Sequence, residues 1–188
     1  MLQAAIELIE ERGVGQLTVR AVAAAADVNV AAVSYHFGSK DGLIAAALEG
    51  AIRHMVEDSE AMLARMPSDP EATLTELLHY YLEGALRYPR LSKAHLYAPL
   101  LSDDYGGPFP VLMEPVLVML VHALRSAVPD LGKREATHRA IAALSAVFFP
   151  AFFGGLFRSL GALDSAADRK RFAQRVAASA LVSPSRRA

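Results

Sequence analysis

Apolar residues recur at three- and four-residue intervals along most of the chain, and no stretch alternates long enough to make a strand. Leu2, Ala5, Ile6 and Ile9 share one helical face, and Gly13 stops that first helix. Thr18 stands just before VRAVAAAA, where an N-cap belongs, with Val22 and Ala23 turned inward. Asp27-Val28 makes a turn, and Asn29 caps a third short helix, Val30 to Phe37. Gly38-Ser39-Lys40-Asp41 breaks that helix and opens another, running to about Arg65. Further helices are predicted over 71–88, 90–101, 109–128, 133–160 and 164–182, with MPSDP, SDDYGGP and PDLG between them. The fold class is therefore all-α: an N-terminal three-helix domain over 1–46 and a larger helical domain over 47–188.

Two short helices joined by a tight turn form a helix-turn-helix, whose second helix can enter the major groove of DNA. In the third helix Val33 and Phe37, four apart, face the core. Ala31 and Tyr35 then point nearly the opposite way, flanked by Val30, Ala32, Ser34 and His36. Small side chains let the helix backbone approach base edges, and alanine or valine methyls can meet thymine methyls. Tyr35, His36 and Lys40 supply reach and donors for backbone phosphates.

Composition supports a packed core: 53% of the residues are hydrophobic and 21% are charged. The absence of cysteine excludes disulfides and thiolate metal sites, which is compatible with a reducing compartment. The opening MLQAAIELIEERG is amphipathic and acidic, unlike a signal peptide. Charge argues against nucleic acid. The whole chain carries −1, and within residues 1–50 Arg12, Arg20 and Lys40 face Glu7, Glu10, Glu11, Asp27, Asp41 and Glu49. Phosphate neutralisation normally supplies most non-specific affinity. Four of those acids lie outside 17–43, and a basic arm ahead of Met1 would offset the deficit.

The run AAIELIEERGVGQLTVRAVAAAADVNVAAVSYHFGSKDGLIAAALE resembles the N-terminal domain of TetR-type transcriptional regulators. The matching pieces are ERG after the first helix, LTVRAVA opening the second, the Val28 turn and YHFGSKDGL closing the third. The resemblance covers about a quarter of the chain and implies a homodimeric DNA-binding repressor whose C-terminal domain binds a small effector. By that resemblance Thr18, Arg20, Val30, Ala31, Ala32, Ser34, Tyr35, His36 and Lys40 fall where such proteins touch DNA. Two positions depart from the family pattern: Asp27 stands where glycine is usual, and Ser34 where tyrosine is common. Aspartate tolerates left-handed backbone better than most residues, which keeps the turn possible.

A two-fold dimer would present two such helices to half-sites about 34–36 Å apart. An effector would then act by favouring a different spacing of the headpieces, with the helix from Asp41 as the lever. Leu144, Val147, Phe148, Ala151, Phe152, Gly155 and Leu156 form a stripe that predicts the dimer contact. Gly154 and Gly155 would allow close approach there, and Pro150 should kink the helix. Tyr81, Tyr97, Met113, Phe149 and Phe153 are the effector candidates, within a wider set holding Tyr80, Phe109 and Met119. His79, His95 and His122 are the polar candidates, each reading as a lone histidine satisfied within the fold.

The uncharged run Ala140 to Phe157, bounded by Arg139 and Arg158, approaches the length of a membrane span. Pro150, Gly154 and Gly155 interrupt it, so it is expected inside a protein or a dimer. The basic set Arg169, Lys170, Arg171, Arg175, Arg186 and Arg187, opposed by Asp168, reads as the solvated face of a last helix. No phosphate loop, cysteine nucleophile, His-Glu metal motif or serine elbow is present, so neither an enzyme nor a cofactor or metal is expected. The competing reading is a helical carrier that holds an apolar ligand without reading DNA. The expected function is a cytoplasmic transcriptional regulator whose partners are duplex DNA, a small apolar or aromatic effector and a second copy of itself.

Overall fold

The computed structural model describes residues 1–161 and 163–183 of the chain. Among them every regular element is helical: α1 (Leu2–Arg12), α2 (Val19–Ala25), α3 (Val30–Phe37), α4 (Lys40–Leu63), α5 (Pro70–Arg87), α6 (Pro89–Ala94), α7 (Tyr97–Ser102), α8 (Pro108–Ala127), α9 (Lys133–Phe152), α10 (Gly154–Ser159) and α11 (Ala166–Leu181), with a 3-10 turn at Val14–Gln16. The first four helices follow the sequence pattern closely. Two expectations change. The helix predicted over 90–101 is two, α6 and α7, and the one over 133–160 divides at Phe153 into α9 and α10. Pro150 is not the break, because α9 runs through it and ends at Phe152.

The chain forms two compact units: Met1–Val56 with Tyr88–Met113, and Glu57–Arg87 with the residues from Glu114 onward. Residues 88–113 thus cluster with the first unit, although the sequence puts them beyond residue 46. The core of that unit is Ala5, Leu8, Ile9, Leu17, Val22, Ala23, Val33, Leu43, Ala47 and Leu48, closed by Leu91 from α6. Burying a leucine of this kind stabilises by about 2 kcal/mol.

In the second unit α5, α9 and α11 pack on one another. Helix α5 turns Leu74, Leu77, Leu78, Tyr81, Leu82 and Ala85 inward. Helix α11 meets it with Ala173, Ala177 and Ala180, whose small side chains at helical spacing permit close packing. Two hydroxyls pin α5: Tyr81 Oη lies 2.5 Å from Ser59 Oγ, and Tyr80 Oη donates to Asp58 Oδ2 at 2.6 Å. Burial pushes the Tyr81 phenol up to about 12, while desolvation and the Asp58 carboxylate raise Tyr80 further. Arg139 donates to the carbonyls of Ala180 and Val182 at the end of α11. Among the described residues α8 alone is long and apolar enough to cross a membrane. It buries Val116, Leu120, Ala123 and Leu124, as an amphipathic core helix does.

Candidate nucleic-acid interface

Side-chain oxygens start both short helices of the headpiece. Thr18 Oγ1 accepts from the Ala21 amide at 3.1 Å, and Asn29 Oδ1 accepts from the Ala31 amide at 2.8 Å. Between them the chain reverses in a Schellman motif, with the Val28 amide donating to Ala23 O at 3.0 Å and Asp27 at φ 52°. Asp27 therefore adopts the left-handed geometry that usually favours glycine.

Helix α3 ends at Gly38, φ 71°, whose amide donates to Ser34 O at 2.9 Å. Ser39 Oγ then accepts from the Gly42 amide at 3.0 Å and starts α4. Gly42 is required for a different reason. A Cβ there would stand 2.3 Å from the Phe37 carbonyl oxygen, so only a hydrogen fits.

These constraints fix which way α3 faces. Val33 is fully buried and Phe37 packs partly against the same core. Val30, Ala31, Ser34, Tyr35 and His36 are exposed, and Ala32 is half-buried. Tyr35 stands out, with 87% of its surface in solvent and its ring edge-on to His36 at 5.5 Å. Thr18 and Arg20 are exposed at the start of α2. Lys40 is half-buried, and its Nζ donates to Gly15 O at 3.1 Å. It therefore ties the 3-10 turn to the start of α4, a structural task the sequence did not reveal. The resulting surface is small and apolar at one end, polar and aromatic at the other, and contains no carboxylate within α3.

Comparison with known proteins matches this arrangement. Residues 1–47 fit the family described as bacterial regulatory proteins, tetR family. The headpiece is similar to that of this family. Over 65 residues the chain is 37% identical to the HTH-type transcriptional regulator BetI of Burkholderia thailandensis, a match covering 35% of this chain and 31% of BetI. The match thus spans about a third of that relative's length. The full fold resembles a putative TetR-family transcriptional regulator from Mesorhizobium loti, with a TM-score of 0.77, 16% identity, and 96% and 92% of the two chains covered. It also resembles the regulator FadR from Bacillus subtilis, solved in complex with stearoyl-CoA, with a TM-score of 0.72, 13% identity and 97% of each chain covered.

Beyond the headpiece, the sequence-derived effector set divides between the two units. Tyr81 is buried, bonded to Ser59 and stacked on Phe148 at 5.6 Å, so it belongs to the core. Tyr97, Phe149 and Phe153 are exposed, and Met113 is half-buried in the other unit from Tyr81. One cleft of about 320 Å³ in the second unit is lined instead by Glu83, Leu86, Arg87, Pro150, Gly154 and Phe157, with Leu163, Asp164 and Arg169. The histidines differ from one another. His122 is exposed, and His79 Nε2 approaches Glu83 Oε1 at 3.3 Å in poor hydrogen-bond geometry. His95 is 8% exposed, lies against Phe109 at 5.8 Å, and has no partner at Nδ1. It is not the satisfied histidine the sequence suggested. Desolvation lowers its pKa from 6.5 to about 4.

The predicted dimer stripe also needs correction. Leu144, Val147 and Ala151 are buried within their own chain, and Phe148 and Phe152 stack on each other at 5.8 Å beside Tyr81. Gly155 and Leu156 remain exposed. Neither Gly154 nor Gly155 makes a close crossing, since a Cβ would meet Leu86 at 3.7 Å in the first case and open space in the second. The exposed apolar side is one residue further round: Ile141, Phe149 and Phe153 of α9 and its end, then Leu156 and Leu160. Phe149 and Phe153 pack together with ring centres 4.8 Å apart. Of the basic set, Arg169 turns inward to Glu83 and Arg171 pairs with Asp168, while Lys170 and Arg175 are exposed. Arg186 and Arg187 lie outside the described residues.

Proposed function

We propose that this chain is a cytoplasmic, ligand-responsive transcriptional regulator that binds duplex DNA as a homodimer and represses until a small apolar or aromatic effector releases it. The orientation of α3 carries this reading: Val33 is buried while Tyr35 stands in solvent beside a carboxylate-free apolar and donor face. Val30, Ala31 and Ala32 are assigned to base edges, and Ser34, Tyr35, His36, Thr18, Arg20 and Lys40 to phosphates or nearby bases. The family match of residues 1–47 supports the same role.

For the dimer, Phe149, Phe153, Leu156, Leu160 and Ile141 replace the buried Leu144 and the half-buried, mutually stacked Phe148 and Phe152, because an interface needs side chains not already packed at home. For the effector, His95 is the preferred polar contact. Its unfilled Nδ1 suits a neutral hydroxyl or amide on an apolar molecule, and an apolar ligand accords with the stearoyl-CoA bound by the FadR neighbour.

Selection of random duplex fragments by the purified protein, followed by salt titration of the retained sequence, tests the reading. A regulator retains a defined sequence and loses affinity steeply with salt. Retention of no duplex would leave the carrier alternative, which the surplus of acids in residues 1–50 favours.

A further inference from the structure

The surplus of acids in the headpiece has one structural use. Glu10, on the last turn of α1, accepts two hydrogen bonds at Oε2, from the backbone amides of Arg90 and Leu91, each at 3.0 Å. In return the Arg90 guanidinium donates through Nη1 to the carbonyls of Glu10, at 3.4 Å, and Glu11. Each helix end therefore satisfies the other: a carboxylate meets the orphan amides starting α6, and a cation meets the orphan carbonyls ending α1. The residues are some 80 positions apart in sequence. The next residue, Leu91, fills the headpiece core, and Ala94 packs against the same cluster.

We infer that Glu10 and Arg90 are positioning residues for DNA reading: their two-way clasp makes α6 part of the headpiece and holds α1 where α2 and α3 need it. This rests on the proposed DNA-binding function. Helix α1 contributes Ala5, Leu8 and Ile9 to the core that seats Val22, Ala23 and Val33. Loosening its end lets that seat shift, without either clasp residue being assigned a contact to DNA. The clasp is built from one carboxylate and one guanidinium exchanging backbone groups, so its two halves depend on each other.

The test uses the full-length protein and the duplex it enriches from random fragments. Glu10→Ala, Arg90→Ala and the double variant are compared with wild type, after thermal unfolding establishes a temperature at which all are folded. Each single variant should bind about tenfold more weakly, and the double variant little more weakly than either, because one device has been lost once. The decisive readout is the salt dependence. A positioning arginine leaves the slope of log affinity against log salt unchanged, whereas a phosphate-contacting arginine lowers it by about one. Glu10→Gln, which retains an acceptor, should recover part of the loss. An unchanged affinity, strict additivity, or a reduced slope in Arg90→Ala overturns the clasp. Failure of wild type to enrich any duplex overturns the DNA-reading function itself, and the positioning role with it.

Discussion

Gly42 lies directly against Phe37: a methyl group on its Cα would sit 2.3 Å from the Phe37 carbonyl oxygen. The obstacle is backbone at the junction of α3 and α4, so no side-chain rotation relieves it. Gly42→Ala is expected to destabilise the protein by about 1–3 kcal/mol, the usual range for forced overpacking. A lowered thermal midpoint accompanied by weakened duplex binding would be the expected outcome. An unchanged midpoint would mean that the α3–α4 junction relaxes freely.

Under the proposed function, substitutions at Lys40 and on the exposed face of α3 should separate affinity from specificity. Lys40→Ala should weaken binding to all duplexes alike and lower the salt slope by about one, as for loss of a phosphate contact. Enlarging Ala31 to leucine should instead change which sequences are retained. Competition binding over a panel of single-base variants of the enriched duplex measures both effects. If Ala31→Leu leaves the panel's rank order intact, Ala31 does not face bases.

His95 sets an acid limit on stability. Its pKa is about 4 in the folded chain against 6.5 when solvated, because burial penalises the imidazolium. Stability is therefore complete above pH 6.5 and falls as the pH drops from there towards 4, where the unfolded chain takes up a proton and the folded chain does not. The loss is roughly 3 kcal/mol at most, from about 1.4 kcal/mol per unit. His95→Phe should flatten this part of the profile relative to wild type. Denaturant unfolding at several pH values measures the difference, and parallel wild-type and variant profiles would refute it.

Adjacent phenylalanines on α9 should behave oppositely. Phe149 is 53% exposed, whereas Phe148 is stacked between Tyr81 and Phe152. Phe149→Glu is expected to dissociate the proposed dimer while shifting unfolding of the monomer by only about 0.5 kcal/mol. Phe148→Ala should cost about 2–3 kcal/mol through the cavity it leaves. Sedimentation and thermal unfolding of both variants distinguish the roles. A Phe149→Glu protein that remains dimeric would move the interface elsewhere.

The headpiece was legible because its information is local. Thr18 and Asn29 announce their caps, and Asp27 is a residue that tolerates a left-handed turn, which it makes at φ 52°. The Val33–Phe37 spacing gave the buried side of α3 and hence its outward side. Beyond residue 50 the pattern gave helices but not their rotation. Phe148 and Phe149 differ by one position, and on an apolar helix nothing local says which faces the chain's own core. Glu10 and Arg90 were invisible for a related reason: nothing in either local sequence signals a pairing across some 80 residues. His95 could not be recognised as unsatisfied until its neighbours were known.

Leu91 has a consequence for how the molecule is made. Translation delivers residues 1–56 well before it delivers α6, yet the core they form is completed by Leu91. The nascent first unit therefore lacks one of its core leucines until the ribosome has released a segment that follows the whole of α5. Truncation anywhere before that segment would leave a polypeptide carrying every α3 side chain but lacking the last piece of its foundation.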